Sequence, residues 1–263
     1  MDRVELQIVG GGRMGEALLG GLLAADPART IRVVEAAAGR AEELRGAHAG
    51  VEVTDRPGPA EGTLVAVKPH QVASVAEAVG AADGGRVLSI AAGVTIATLE
   101  AALPDGTPVV RAMPNTPALV GAGAAAVAAG THAGDDDLAW AEAVLGAVGS
   151  VVRVPEHLLD AVTGLSGSGP AYVFLVLDAL IEGGVAAGLP RDVAEALAGQ
   201  TVLGAAALYV HGDATPGELR AAVTSPGGTT AEGLRVLEQR AVRAAVIDAV
   251  LAARDRSVEL GAG

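Results

Sequence analysis

The chain contains no cysteine, which excludes disulfides, thiolate metal ligands and a thiol nucleophile together. Positive charge is scarce: 18 Lys and Arg stand against 31 Asp and Glu, for a formal net charge of -13. So acidic a chain is poorly suited to displacing counterions from a phosphate backbone, and nucleic acid is not an expected partner. The five histidines, at 48, 70, 132, 157 and 211, are scattered without an i, i+4 pair, so no metal site is expected. No uninterrupted apolar run approaches the roughly 20 residues of a membrane span, because Gly, Pro or charge cuts each Ala-rich stretch. The first ten residues alternate polar and apolar and carry acidic side chains, which reads as a strand and not as a signal peptide. The expectation is a cytoplasmic protein with no membrane partner.

What is present is periodicity of two kinds, in a chain of 263 residues that is long enough for two cores. Short β-branched runs at 4–9, 31–35, 51–53, 63–67, 86–90 and 108–112, with weaker ones near 124–128 and 151–154, alternate with helical patterns. Those helices fall at about 14–25, 40–47, 70–80, 95–102 and 136–147. The alternation predicts a mostly parallel sheet with helices on both faces, which binds ligands at the carboxyl ends of its strands. Beyond 155 the pattern becomes apolar at helical spacing, at about 156–165, 170–187, 191–211, 215–223 and 229–259, which predicts an all-α domain. The expected division is a dinucleotide-binding domain over 1–154 and a helical domain over 155–263, with the boundary at 151–155.

Gly10-Gly11-Gly12-Arg13-Met14-Gly15 directly follows the first strand and opens the first helix. In that context Gly10 permits the turn, Gly12 lets backbone approach a pyrophosphate, and Gly15 allows close helix–strand packing. Glu35 ends the second strand twenty residues after Gly15, where a carboxylate can accept both ribose hydroxyls. A carboxylate there repels a 2′-phosphate, so the expected cofactor is NAD(P)H with NADH favoured; Arg13 and Arg40 are the cations that could offset the repulsion. Val67-Lys68-Pro69 ends the fourth strand and includes the chain's one lysine, a compact ammonium where all other basic side chains are guanidinium. Ala91-Ala92-Gly93 and the turn around Asn115 end the next two strands, and the same cofactor cleft is expected to use Val67, Lys68, Pro69, Ala91, Ala92, Gly93 and Asn115.

Two runs in the second half depart from the helical composition. Residues 160–172 contain Ser166-Gly-Ser168-Gly-Pro170, which lacks the His and Asp partners of a serine nucleophile and reads as a kinked, closely packed helix. Residues 223–230 read Val-Thr-Ser-Pro-Gly-Gly-Thr-Thr. A helix N-terminus explains the Ser and the Pro, but two consecutive Gly in an Ala-rich chain cost about 1 kcal/mol each against Ala and need another reason.

Taken with the glycine loop, Val67 to Pro69 and Arg111 to Pro117, these two runs make the sequence similar, nearly end to end, to the pyrroline-5-carboxylate reductase family. The resemblance implies a Rossmann-type N-terminal domain and a helical C-terminal domain that interleaves with a partner's in a homodimer, with dimers assembling further into rings. It implies reduction of the cyclic imine 1-pyrroline-5-carboxylate to L-proline. It places Thr230 at the imine nitrogen, as the catalytic contact, and makes Ser225, Gly227, Gly228 and Thr229 a substrate cradle. Glu156 matches an acidic position near the family's site. Arg13 stands where the family commonly carries Asn or Ser, and residues 219–223 lack the polar pair usual before the substrate loop. Rival readings are a β-hydroxyacid dehydrogenase or imine reductase relative, and a non-catalytic dinucleotide sensor. The first expects a lysine in the helical half, where there is none, and the second has no use for residues 223–230.

Overall fold

The computed structural model describes residues 1–261. Eight strands form one sheet: β1 (Val4–Val9), β2 (Ile31–Val34), β3 (Glu52–Thr54), β4 (Ala60–Val65), β5 (Arg86–Ser89), β6 (Val109–Met113), β7 (Gly123–Ala129) and β8 (Gly149–Arg153). Their spatial order is β3-β2-β1-β4-β5-β6-β7-β8. All neighbours pair in parallel except β6 and β7, so the last two strands run against the rest. Five helices cover the sheet: α1 (Arg13–Ala25), α2 (Ala38–Ala47), α3 (Val72–Ala81), α4 (Ile96–Ala102) and α5 (Asp135–Gly146).

The alternation along β1 explains the two layers. Leu6 and Ile8 face a core shared with Leu18, Leu19 and Leu22 of α1, Leu44 of α2 and Val144 and Leu145 of α5. Val9 faces the opposite core, with Val72, Ala76 and Val79 of α3 and Leu99 of α4. Each fully buried Leu or Ile contributes roughly 1.5–3 kcal/mol of transfer free energy, so these layers hold the sheet rigid beneath its carboxyl edge. Trp140 of α5 lies half-buried over Gly62 of β4, where an added Cβ would fall 2.4 Å from the indole, and Arg86 stacks on the ring at 5.3 Å.

Beyond β8 come a 3-10 turn (Glu156–Leu158), α6 (Leu159–Val162), a π-turn (Thr163–Gly167), α7 (Gly169–Ala186), α8 (Arg191–Val210), α9 (Pro216–Ala222), α10 (Thr229–Gln239) and α11 (Val242–Gly261). The chain forms two compact units, one of Met1–Ser168 with the chain from Ala252 onward, the other of Gly169–Leu251. The first unit therefore runs past residues 151–155. Leu159 is buried in the second sheet core, and Ser257 Oγ donates to Asp160 Oδ1 at 2.6 Å, which holds the end of α11 to the same unit. The helical spacing is corrected at one place: the single helix expected over 229–259 is two, α10 and α11, separated at Ala241, whose φ of 55° lies in the left-handed region.

A second correction concerns apolar length. The continuous helical stretch Glu156–Ala186 and helix α8 are each long and apolar enough to cross a membrane, with mean hydropathy 1.4, because their glycines and isolated charges do not interrupt the helix. No residue of α7 is buried, and α8 buries Ala194 and Ala198 alone. Phe174, Leu175, Leu203 and Leu208 are all more than 60% exposed, a density of bare apolar surface that a solvated monomer does not carry.

Candidate active site

A cleft of about 640 Å³ opens along the carboxyl edge of the parallel strands, on both sides of the point where strand order reverses between β1 and β4. The glycine loop forms its floor. Gly10 has a φ of 106°, and a Cβ there would lie 2.6 Å from the carbonyl oxygen of Ala66. At Gly15 a Cβ would lie 2.1 Å from the Gly10 carbonyl oxygen. Only glycine fits either place. Gly12 differs: it is exposed, nothing lies within 4 Å of its would-be Cβ, and it caps α1 without a side-chain hydrogen bond. The loop is thus closed on one side by its own backbone and on another by that of Ala66, and open on the third, where the first N–H groups of α1 can receive an anion. These residues fit a dinucleotide pyrophosphate.

Glu35 lines the same cleft. Its Oε2 accepts the N–H of Gly11 at 3.0 Å and its Oε1 that of Ala37 at 2.9 Å. Each oxygen keeps a free lone pair, so the carboxylate can still take two ribose hydroxyls. Arg40 is not available to a phosphate in this arrangement. Its Nε donates to the Gly11 carbonyl at 2.8 Å, Nη1 pairs with Glu43 at 2.9 Å, and Nη2 pairs with Glu16. The hydrogen bond from Arg40 holds the Glu16 carboxyl below its usual range, with His48 adding to the effect against partial burial. Arg13 lines the cleft, exposed and without an ion pair among the described residues.

Met14, Val67, Lys68 and Ala92 also line the cleft. Lys68 is exposed, has no ion-pair partner among the described residues, and precedes the 3-10 turn Pro69–Gln71 that leads into α3. Pro69, Ala91 and Gly93 shape the turns behind the cleft without lining it, Gly93 with a φ of 74°. Asn115 is placed differently from expectation. Its side chain is committed to backbone, Nδ2 donating to Ser166 O at 3.0 Å and Oδ1 accepting from Ala124 N at 2.8 Å, while its neighbours Met113, Pro114 and Thr116 line the cleft. Glu156 is likewise engaged within the first unit: Oε1 accepts the N–H of Ile96 at the start of α4 at 2.7 Å and pairs with Arg111 at 2.9 Å. Ile96 and Arg111 are 60 and 45 residues away, which is why the sequence showed only an acidic residue at a helix start. Gln71, Ser74, Val75 and Ala78 line the cleft without having been expected there. Their spacing of three, four and seven marks one face of a helix and was the available signal.

In the other unit, residues 223–228 join α9 to α10. Gly228 N donates to Ser225 O at 3.0 Å, closing a turn over Pro226 and Gly227, whose φ is 68°. Gly228 caps α10 with no side-chain hydrogen bond, so the leading N–H groups of Thr229 and Thr230 and both hydroxyls are without partners among the described residues. Ser225, Gly227 and Thr229 are exposed and Thr230 is half-buried. Free N–H groups and hydroxyls in this arrangement could receive an anion without a basic side chain.

The sequence profile described as pyrroline-5-carboxylate reductase dimerisation matches residues 156–260, and one described as NADP oxidoreductase coenzyme F420-dependent matches residues 5–93. The chain is 46% identical over 267 residues to the pyrroline-5-carboxylate reductase of Synechocystis sp., covering 98% of both chains. The chain belongs to the pyrroline-5-carboxylate reductase family. A Mycobacterium tuberculosis reductase of this name is 45% identical, with 97% of this chain and 96% of that one covered. The solved Coxiella burnetii pyrroline-5-carboxylate reductase superposes with a TM-score of 0.92 at 37% identity, covering 98% and 99%. The Plasmodium falciparum pyrroline carboxylate reductase, solved with NADP bound, gives a TM-score of 0.83 at 28% identity, covering 98% of each chain. As a member of the pyrroline-5-carboxylate reductase family the chain is an NAD(P)-dependent oxidoreductase acting on a C=N bond, and its bare helical surface coincides with the family's dimerisation region.

Proposed function

We propose that the chain transfers a hydride from NAD(P)H to 1-pyrroline-5-carboxylate, giving L-proline, with residues 1–154 holding the cofactor and 155–263 serving substrate and assembly. The observation that carries this is that one chain has both a glycine-floored cleft fit for a dinucleotide and, in its other unit, an uncapped, hydroxyl-rich helix start at residues 228–230. A bound nicotinamide supplies the hydride. The chain's own residues bind and orient. Backbone N–H groups from Gly228 to Thr230, with the Ser225 and Thr229 hydroxyls, receive the substrate carboxylate. The Thr230 hydroxyl hydrogen-bonds the ring nitrogen, accepting from an iminium N–H or donating to a neutral imine. An alcohol's pKa lies far above neutrality, so this contact orients the ring and relays a proton without acting as a strong general acid. Rate then comes chiefly from positioning.

The assembly we propose is a homodimer through α7, α8 and the apolar faces beside them, with a ring of dimers as a further step, in the cytoplasm and not in a membrane. NADH is the favoured cofactor, because Glu35 is fixed at the ribose end of the cleft and Arg40 is already paired. Loss of reduced-nicotinamide absorbance on mixing protein, cyclic imine and either cofactor tests the activity; cofactor binding with no oxidation by either would refute it. Glu35→Ala is expected to reduce the preference for NADH about tenfold. An unaltered ratio of kcat/KM values would remove Glu35 from that role.

A further inference from the structure

We propose that Glu16 and Glu43 set cofactor choice by locking Arg40, so that this cation, held against Gly11 beside the cleft, cannot serve a 2′-phosphate. The inference rests on the placement of Glu35 at the ribose and extends it to residues that do not line the cleft. Gly11 is gripped from both sides: its N–H by Glu35 and its C=O by Arg40 Nε. The rest of the guanidinium is turned to carboxylates, Nη2 to Glu16 of α1 and Nη1 to Glu43 of α2. The charged and titratable groups around the glycine loop are Glu35, Glu16, Glu43, Arg40 and His48, the last 3.3 Å from Glu16 Oε1, together with Arg13, which lines the cleft without an ion pair among the described residues. Three carboxylates there outweigh two guanidiniums, one of which, Arg40, is already paired. A phosphate carrying close to two negative charges meets net repulsion there, whereas a ribose hydroxyl does not.

The lock spans 24 residues between Glu16 and Arg40 and holds α1 to α2, so a structural role must be separated from the electrostatic one. Dissociation constants for NAD+ and NADP+, measured by calorimetry on the full chain, do this, because loosening alone weakens both alike. Glu16→Gln keeps the side-chain shape and removes its charge. It is expected to improve NADP+ binding relative to NAD+ about tenfold, and the exposed Glu43→Gln about threefold. Adding Arg40→Met to Glu16→Gln is expected to abolish the gain. An unchanged ratio in both single variants overturns the lock, as does a gain that survives without Arg40. Should Glu16→Gln fail to fold, Glu43→Gln alone decides, since its side chain is 68% exposed. Tighter NADP+ binding by the unaltered chain would instead overturn the NADH reading, and the variants' shifts would still judge the lock.

Discussion

Two glycine turns in this chain end in the same way, with a glycine cap and a helix whose first N–H groups are free, yet they are built by opposite means. The loop before α1 lies on a rigid sheet. Its glycines are demanded by backbone atoms 2.1 and 2.6 Å from where a Cβ would stand, and Glu35 and Arg40 clamp it. The turn before α10 is mostly exposed: nothing lies within 4 Å of a Cβ at Gly227, where only the positive φ asks for glycine, and a Cβ at Gly228 would meet Ser225 of the same turn, 2.3 Å from its Oγ. One turn is preorganised by the fold around it. The other is preorganised only by its own turn, in a helical unit with almost no core of its own.

The contrast can be broken at either end. Charging the bare helices with Leu175→Asp and Leu203→Asp, at side chains 71% and 62% exposed, is expected to abolish self-association by light scattering and to lower turnover about a hundredfold. Nucleotide binding at the sheet should survive; its loss would mean the two regions are not independent. Gly15→Ala should do the reverse, weakening nucleotide binding at least about tenfold and stability by roughly 1–3 kcal/mol, measured by calorimetry and thermal melting, with self-association kept. Thr230→Ala is expected to lower kcat about tenfold while the cofactor dissociation constant stays within about twofold. An unchanged rate would refute the role given to that hydroxyl. Gly227→Ala meets no atom and costs about 1 kcal/mol of left-handed strain, so KM for the imine should rise only about fivefold. A far larger change would show that the turn is more tightly surrounded than its own unit makes it.

The sheet was legible because β-branched runs and glycine punctuation are local signals, and β1 to β6 lie where the spacing puts them to within a few residues. The glycine loop was legible for the same reason. The reversal at β7 was not, since Gly-Ala-Ala-Ala-Val-Ala-Ala says nothing of direction. The break at Ala241 had no Gly or Pro to announce it. Asn115 and Glu156 were read by type and neighbourhood, but their partners are Ser166, Ala124, Ile96 and Arg111, contacts that only the folded chain brings together. The apolar length of α7 and α8 was hidden by glycines that weaken a hydrophobic run on paper and leave the helix continuous.

Lys68 has a further consequence. It is the one side-chain amine in the molecule, and it stands exposed at the edge of the cofactor cleft. An amine-directed reagent therefore has Lys68 as its one side-chain target in this sequence. Attached there, a fluorophore would make the chain a reporter of its own occupancy, read without catalysis and without engineering a residue.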